Sequence, residues 1–191
     1  MKKLLLSAAF VALGMGISNA QEPTFGVKGG LNLASLGGDI EDVDALTSFH
    51  IGGFAQFEIS EKFMIQPELL YSAQGAVNSE ESDLKIKLDY INLPIMAKYM
   101  VAEGFSLEGG PYVGFAINRE ASFDGDSVDL DDEFKSLDYG VGLGAGYELD
   151  SGLMFSLRYN LGLANIADEF DGEDFSINNN VLQVSVGYKF N

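Results

Sequence analysis

Apolar residues alternate with polar or small ones through most of the chain beyond residue 23. A two-residue period is the mark of strands with two different faces. The pattern predicts eight strands, at about 24–35, 48–58, 62–74, 85–100, 105–118, 137–149, 153–164 and 179–190. Between them, residues 59–61, 101–104 and 150–152 read as tight turns, and 36–47, 75–84, 119–136 and 165–178 as long acidic loops. Short turns at one end and long loops at the other are the layout of an up-and-down membrane barrel. The predicted strands exceed the usual length of about five or six residues, and a tilted membrane-spanning strand needs about 9–11.

The two faces separate a membrane barrel from a soluble one. One face carries Phe25, Val27, Leu31, Phe49, Ile51, Leu69, Ile95, Leu107, Phe115, Tyr139, Leu143, Leu157, Val184 and their apolar neighbours. The other carries Lys28, Asn32, His50, Gln56, Gln66, Arg158, Asn160, Gln183 and Ser185, with a run of glycines at 140, 142, 144 and 146. A soluble barrel turns its apolar face inward. The polar face here has too few charges to keep eight strands in water, so it is read as the lumen. Phe25, Phe57, Phe63, Tyr99, Phe105, Tyr147, Phe155, Tyr188 and Phe190 all fall outward at the short-turn end, which predicts an interfacial aromatic girdle. Two features strain the scheme. Pro67, Pro94 and Pro111 lie inside strands, and the apolar phase slips between Tyr90 and Ile91, for which a β-bulge near Asp89–Asn92 is the expected remedy.

The first twenty residues follow other rules. Lys2 and Lys3 precede an apolar stretch, Leu4 to Ile17, and Ser18-Asn19-Ala20 puts small residues where a signal peptidase cuts. Residues 1–20 are therefore read as a signal peptide and 21–191 as the barrel domain. The apolar stretch is shorter than the roughly 20 residues of a membrane-spanning helix. No separate periplasmic domain or peptidoglycan anchor is expected.

Composition then excludes classes. Of 191 residues, 29 are acidic and 11 basic, a net charge of −18; nucleic-acid binding, which needs a basic face, is ruled out. With no cysteine there is no disulfide, thiolate site or lipid-anchoring thiol, and with His50 as the only histidine no multi-histidine metal centre. No cofactor is expected. Nineteen of the acids fall in the four long loops, a solvated surface in the plain reading. The segment Asp124-Gly125-Asp126-Ser127-Val128-Asp129 begins like a calcium loop, but Val128 and the misplaced glycine break that pattern. A weak divalent-cation site there is the sharper alternative.

Several segments carry a resemblance: YSAQGAV (71–77), YINLPIMAKYM (90–100), LEGGPYVGFAI (107–117), GLGAGYEL (142–149), SLRYNLGLANI (156–166) and VLQVSVGYKF (181–190). In this order they make the chain resemble the outer-membrane β-barrel domain family abundant in Bacteroidota, with its porin-family and PorT-like members. The resemblance covers essentially all of 21–191. It implies an eight-stranded outer-membrane barrel similar to OmpA and OmpX domains, set in outer-membrane lipid and lipopolysaccharide, and it accounts for the prolines as family features. It implies no catalytic residues. The last strand also looks like the signal read by the outer-membrane assembly machinery, with Gln183, Tyr188 and Phe190 at its key positions, although Ser185 replaces a glycine and Asn191 follows the usual terminal aromatic.

Three functions follow. The first is a non-enzymatic barrel filled by its own side chains, with a structural or interaction role. Glu58, Glu68, Glu108 and Glu148 balance Lys28, Lys98, Arg158 and Lys189 on the inward face, which predicts mutual pairing. Lys98 is expected to meet Glu108 across the 101–104 turn, and Arg158 to cross the lumen over the glycine run towards Glu68. The second is a narrow small-solute pore. The third is a lipid-modifying enzyme using His50 with Ser48, two residues away on the same face, though no paired acid is evident. The loops' extracellular partner is not identified.

Overall fold

The computed structural model describes residues 22–40, 42–81, 84–123, 126–130, 133–168 and 176–190. The signal-peptide reading therefore lies outside the described residues, as do Asp124 and Gly125 of the calcium-like segment.

Among the described residues nine antiparallel strands form: β1 (Thr24–Gly38), β2 (Val43–Ser60), β3 (Phe63–Asn78), β4 (Lys85–Ala102), β5 (Phe105–Phe123), β6 (Asp126–Asp129), β7 (Leu137–Glu148), β8 (Leu153–Gly162) and β9 (Ile177–Phe190). Eight of them close a ring. Neighbours in sequence pair in turn, β5 pairs with β7, and β1 pairs with β9 from Phe25↔Phe190 to Gly38↔Ile177. Closure leaves no exposed edge inside a bilayer, where an unpaired backbone group has no water to bond. Strand β6 stands apart as a short arm on the upper end of β5 (Glu120↔Asp129, Phe123↔Asp126).

Parity along the strands follows the hydrophobic pattern. Residues of the apolar face point outward and stay exposed, among them Leu31, Leu69, Leu107, Leu143 and Val184. The aromatic residues share a level as well as a face. Register places Phe63 opposite Tyr99, Tyr147 between Phe105 and Phe155, and Phe25 beside Phe190. Among the described residues no helix is long and apolar enough to cross a membrane; the crossing is made by strands. The tight hairpins use glycine where the chain must turn with positive φ, at Gly104 (71°) and Gly152 (84°).

Three expectations need correction. The long loops are shorter than the charge pattern implies, because strand pairing continues past the bilayer-length segment. Leu36 to Gly38 and Val43 to Thr47 are strand, as are 75–78 and 119–123. A charged side chain at a strand position in water does not break the ladder, so acidity marks where the barrel is wet and not where the strand stops. Secondly, β4 undergoes no phase slip. Leu88, Tyr90, Asn92, Met96 and Lys98 all face inward at even positions. The inward face itself becomes apolar near the long-loop end, which imitates a slip. Thirdly, the bulge lies opposite Asp89–Tyr90 but on the other strand: Asp89 pairs with Asn118 and Tyr90 with Ala116, leaving Ile117 of β5 as the extra residue.

The prolines form a staggered seam. Pro67 lies opposite Ile95, and Pro94 opposite Tyr112, next to Pro111. Ladder pairing lapses beside them, between Pro67/Ile95 and Leu70/Asn92, and between Pro94/Tyr112 and Ala97/Gly109. Grouping residues that lack an N–H on adjacent strands confines the lost bonds to one patch of wall.

Candidate functional site

The lumen divides into three levels. At the short-turn end lies a charged layer, in the middle a network of neutral polar groups, and at the long-loop end an apolar cap.

Arg158 of β8 organises the charged layer. It is 1 % exposed. Its Nη1 and Nη2 donate to the two carboxylate oxygens of Glu68 at 2.8 and 2.7 Å, and its Nε donates to Glu108 Oε1 at 2.7 Å. Both acids are buried. A guanidinium supplies a rigid fork suited to one carboxylate and a further donor for another. Glu68 also accepts from Gln66 Nε2 at 2.7 Å, and Lys28 Nζ lies 3.4 Å from it. Lys189 pairs with Glu148 nearer the mouth.

Glycine makes room for this arrangement. Glu108, Gly144 and Arg158 form one lateral row across β5, β7 and β8. A Cβ on Gly144 would stand 2.5 Å from Leu157 O and 3.1 Å from Glu108 Oε1. The Arg158–Glu108 contact therefore passes over a strand position where any side chain would obstruct it.

The pairing expected across the 101–104 turn takes another form. Lys98 and Glu108 are directly opposite in register, but Glu108 turns to Arg158, and Lys98 Nζ donates to Gln66 Oε1 at 3.3 Å. The bidentate Arg158 fork orders the glutamates around itself, and the neutral Gln66 bridges Lys98 to Glu68. Glu58 is half-buried and joins no ion pair among the described residues.

Above this layer His50 is 1 % exposed. Its Nε2 is 2.9 Å from Ser185 Oγ and its Nδ1 2.8 Å from Asn32 Oδ1. Asn32 Oδ1 also accepts from Gln183 Nε2, and Asn32 Nδ2 donates to Ser72 Oγ and to the carbonyl of Ala73. Ser48 does not meet His50; its hydroxyl donates to Ala73 O at 2.7 Å. The hydroxyl, imidazole and amide of Ser185, His50 and Asn32 stand in a hydrolase-like order. Ser185, however, is paired on both sides, to Gly30 and to Ser156. Backbone N–H groups there serve strand pairing and provide no oxyanion hole.

The cap closes the far end. Leu36, Ala76, Leu88, Tyr90, Phe134, Ala164, Ile166, Ala167 and Ile177 form one buried apolar cluster. Segments 133–136 and 163–168 fold inward to complete it. Lys135 N donates to Ile166 O at 2.8 Å, Asp168 N to Glu133 O at 2.9 Å, and Ile166 N to Ile177 O at 2.9 Å. At the opposite end a recess with about 420 Å³ of empty space, its open mouth included, is lined by Lys28, Gln66, Lys98 and Ser106 among others.

A closed antiparallel barrel with an apolar outside, an aromatic belt and a polar inside is built for a bilayer. The sequence matches the outer membrane protein beta-barrel domain family over residues 19–168. The chain belongs to this family. It is therefore an outer-membrane protein, and the matched residues carry seven of the eight strands of its barrel. Among solved structures, the barrel is similar to Neisserial surface protein A, with TM-score 0.59 and 13 % identity over 91 % of this chain and all of that one. It is also similar to Ail, the attachment invasion locus protein of Yersinia pestis, with TM-score 0.54 and 14 % identity over 89 % of this chain and all of that one. Ail has also been solved with the heparin analogue sucrose octasulfate. At these identities the likeness is one of fold. No curated protein matches the sequence significantly.

Among the described residues the acids of the long-loop end are spread along strand ends and turns. Asp126 and Asp129, three residues apart in β6, fall on opposite faces of the strand. Among the described residues no three His, Cys, Asp or Glu side chains converge as a metal site. The sequence pattern also gave no sign of Asp138, which is 1 % exposed on β7. A single acid before a glycine run carries no local signal of burial.

Proposed function

We propose that this outer-membrane barrel is a non-enzymatic, non-conducting protein with a structural or interaction role, its lumen filled by its own side chains. The observation that carries this reading is the Arg158–Glu68–Glu108 cluster, in which three buried charged groups satisfy one another across the barrel. Eight strands enclose an interior just wide enough for side chains, and here the ion cluster and the apolar cap block it in series. A pore reading would need a continuous wet path past both.

The short-turn end is assigned to the periplasm and the long-loop end to the cell exterior, on the alternation of connection lengths. The exterior surface is then acidic, with Asp39, Asp44, Glu80, Glu81, Asp126 and Asp168 exposed. Like-charged ligands would be repelled, so its partner would be cationic or bridged by divalent cations, including those of lipopolysaccharide. Residues 1–20 serve as the export signal and Gln183, Tyr188 and Phe190 as the assembly signal. The finer kinship with the porin-family and PorT-like proteins of Bacteroidota is supported by the six ordered segments.

Proteoliposome swelling tests the reading. Vesicles carrying the folded protein should admit small sugars no faster than empty vesicles. Uptake in proportion to the protein incorporated would favour the small-solute pore.

A further inference from the structure

Six buried side-chain oxygens lack a hydrogen-bond partner among the described residues, and four of them cluster at one level of the lumen, between the polar network and the cap: Tyr90 Oη, Asn92 Oδ1, Asp138 Oδ1 and Asn179 Oδ1. Asn92, Gly114 and Asp138 form one lateral row across β4, β5 and β7. Gly114 leaves room that the Asn92 amide enters. A Cβ there would come within 2.4 Å of Asn92 Oδ1 and 3.2 Å of the Tyr90 ring. Asp138 borders the space from β7, its other oxygen accepting from Tyr112 Oη and Asn179 Nδ2, both at 3.3 Å.

Two properties define what fits. Three of the four free oxygens are acceptors only, so they cannot satisfy one another and need a donor or a positive charge between them. Asp138 is buried, yet it is met by neutral donors, the Tyr112 phenol and the Asn179 amide, and it joins no ion pair among the described residues. A buried carboxylate without a counter-charge is costly. Among the described residues the three buried basic groups, Lys28, Lys98 and Arg158, lie in the charged layer with Glu68 and Glu108, and the half-buried Arg119 above Tyr90 donates to Phe134 O and Ser136 Oγ. We propose that a single monovalent alkali cation, with its remaining water, is held on Asp138 between Tyr90 and Asn92. One carboxylate matches one positive charge; a divalent ion would leave a surplus in a low-dielectric lumen. The remaining partners are hard, neutral oxygens, suited to an alkali ion. The cap and the ion cluster enclose the site on both sides, so the cation would be taken up as the barrel folds. The inference is independent of whether the barrel conducts, since it concerns one enclosed level of the lumen.

The test is equilibrium refolding of the full-length protein in detergent micelles, with sodium or potassium chloride compared with N-methylglucamine chloride at equal ionic strength. A cation bound only by the folded state should raise the folded-to-unfolded ratio up to tenfold for each tenfold rise in its concentration, once above its dissociation constant. Asp138→Asn should abolish that dependence. Asn92→Ala keeps the charge, removes one ligand oxygen and should weaken the dependence severalfold; it carries the test alone if Asp138→Asn does not fold. Identical curves in all three salts would mean that water alone fills the space and would overturn the proposal. So would an alkali dependence left unchanged by Asn92→Ala.

Discussion

Arg158 on the eighth strand of the chain and Glu68 on the third are 90 residues apart, yet they meet through two parallel hydrogen bonds of 2.7 and 2.8 Å. The contact spans the lumen and fixes opposite walls of the barrel to each other. The Nε–H of the same guanidinium goes to Glu108 at 2.7 Å, so one arginine serves two carboxylates that would otherwise repel.

Gly144 should tolerate a side chain poorly. Gly144→Ala would press a methyl group on Leu157 O and on the Glu108 carboxylate. Overpacking of this kind costs about 1–3 kcal/mol. Urea unfolding in micelles should show that loss, whereas alanine at Gly53, where the nearest atom is Gly26 O at 3.5 Å, should cost less than half as much. Equal effects at the two sites would mean that Gly144 is not needed to make room.

Much of this was legible from parity. Alternation assigned Lys28, Glu68, Glu108 and Arg158 to one lumen, and the glycines at 140–146 marked where a long side chain could cross. The second contact of Arg158 was not legible, because Lys98 faces Glu108 in register and is the simpler partner. Choosing between them depends on the fork geometry of arginine and on Gln66, which only the closed barrel brings together. The apolar cap misled the reading of β4. Leu88 and Tyr90 obey the inward parity of their strand, but an apolar inward residue looks like an outward one when sequence is the guide. Ile166 and Phe134 sit in segments with no period at all, and their burial comes from backbone bonds between the two segments and from Ile166 to β9.

Ile166 is fully buried at the centre of the cap. Ile166→Ala should lower stability by about 2–5 kcal/mol, the range for truncating a core aliphatic residue. Conductance should stay at background, since the ion cluster below is untouched. A variant that conducts would assign the seal to the cap alone.

His50 holds Asn32 and Ser185 in place, and on this account it does no chemistry. His50→Ala should cost about 1–3 kcal/mol through the acceptor and donor left unpaired, measured by thermal unfolding. The acyl-chain pattern of outer-membrane lipids in cells carrying the variant should match the parent. A changed pattern would revive the lipid-modifying reading.

Phe190 lies at the end of β9, opposite Phe25 and with its ring 5.8 Å from that of Tyr188. Phe190→Ala should reduce the folded, heat-modifiable fraction in outer-membrane preparations several-fold and raise periplasmic degradation. Unchanged yield would remove the assembly role of the terminal aromatic.

The filled lumen is tested most directly by single-channel recording in planar bilayers, comparing the parent protein with Arg158→Leu. The parent should give no steady conductance. Arg158→Leu leaves Glu68 and Glu108 without their principal partner, at a cost of about 3–5 kcal/mol, and should give small, flickering currents as water enters the vacated layer. A large, stable conductance in the parent, or an Arg158→Leu protein that is both silent and as stable as the parent, would contradict the account.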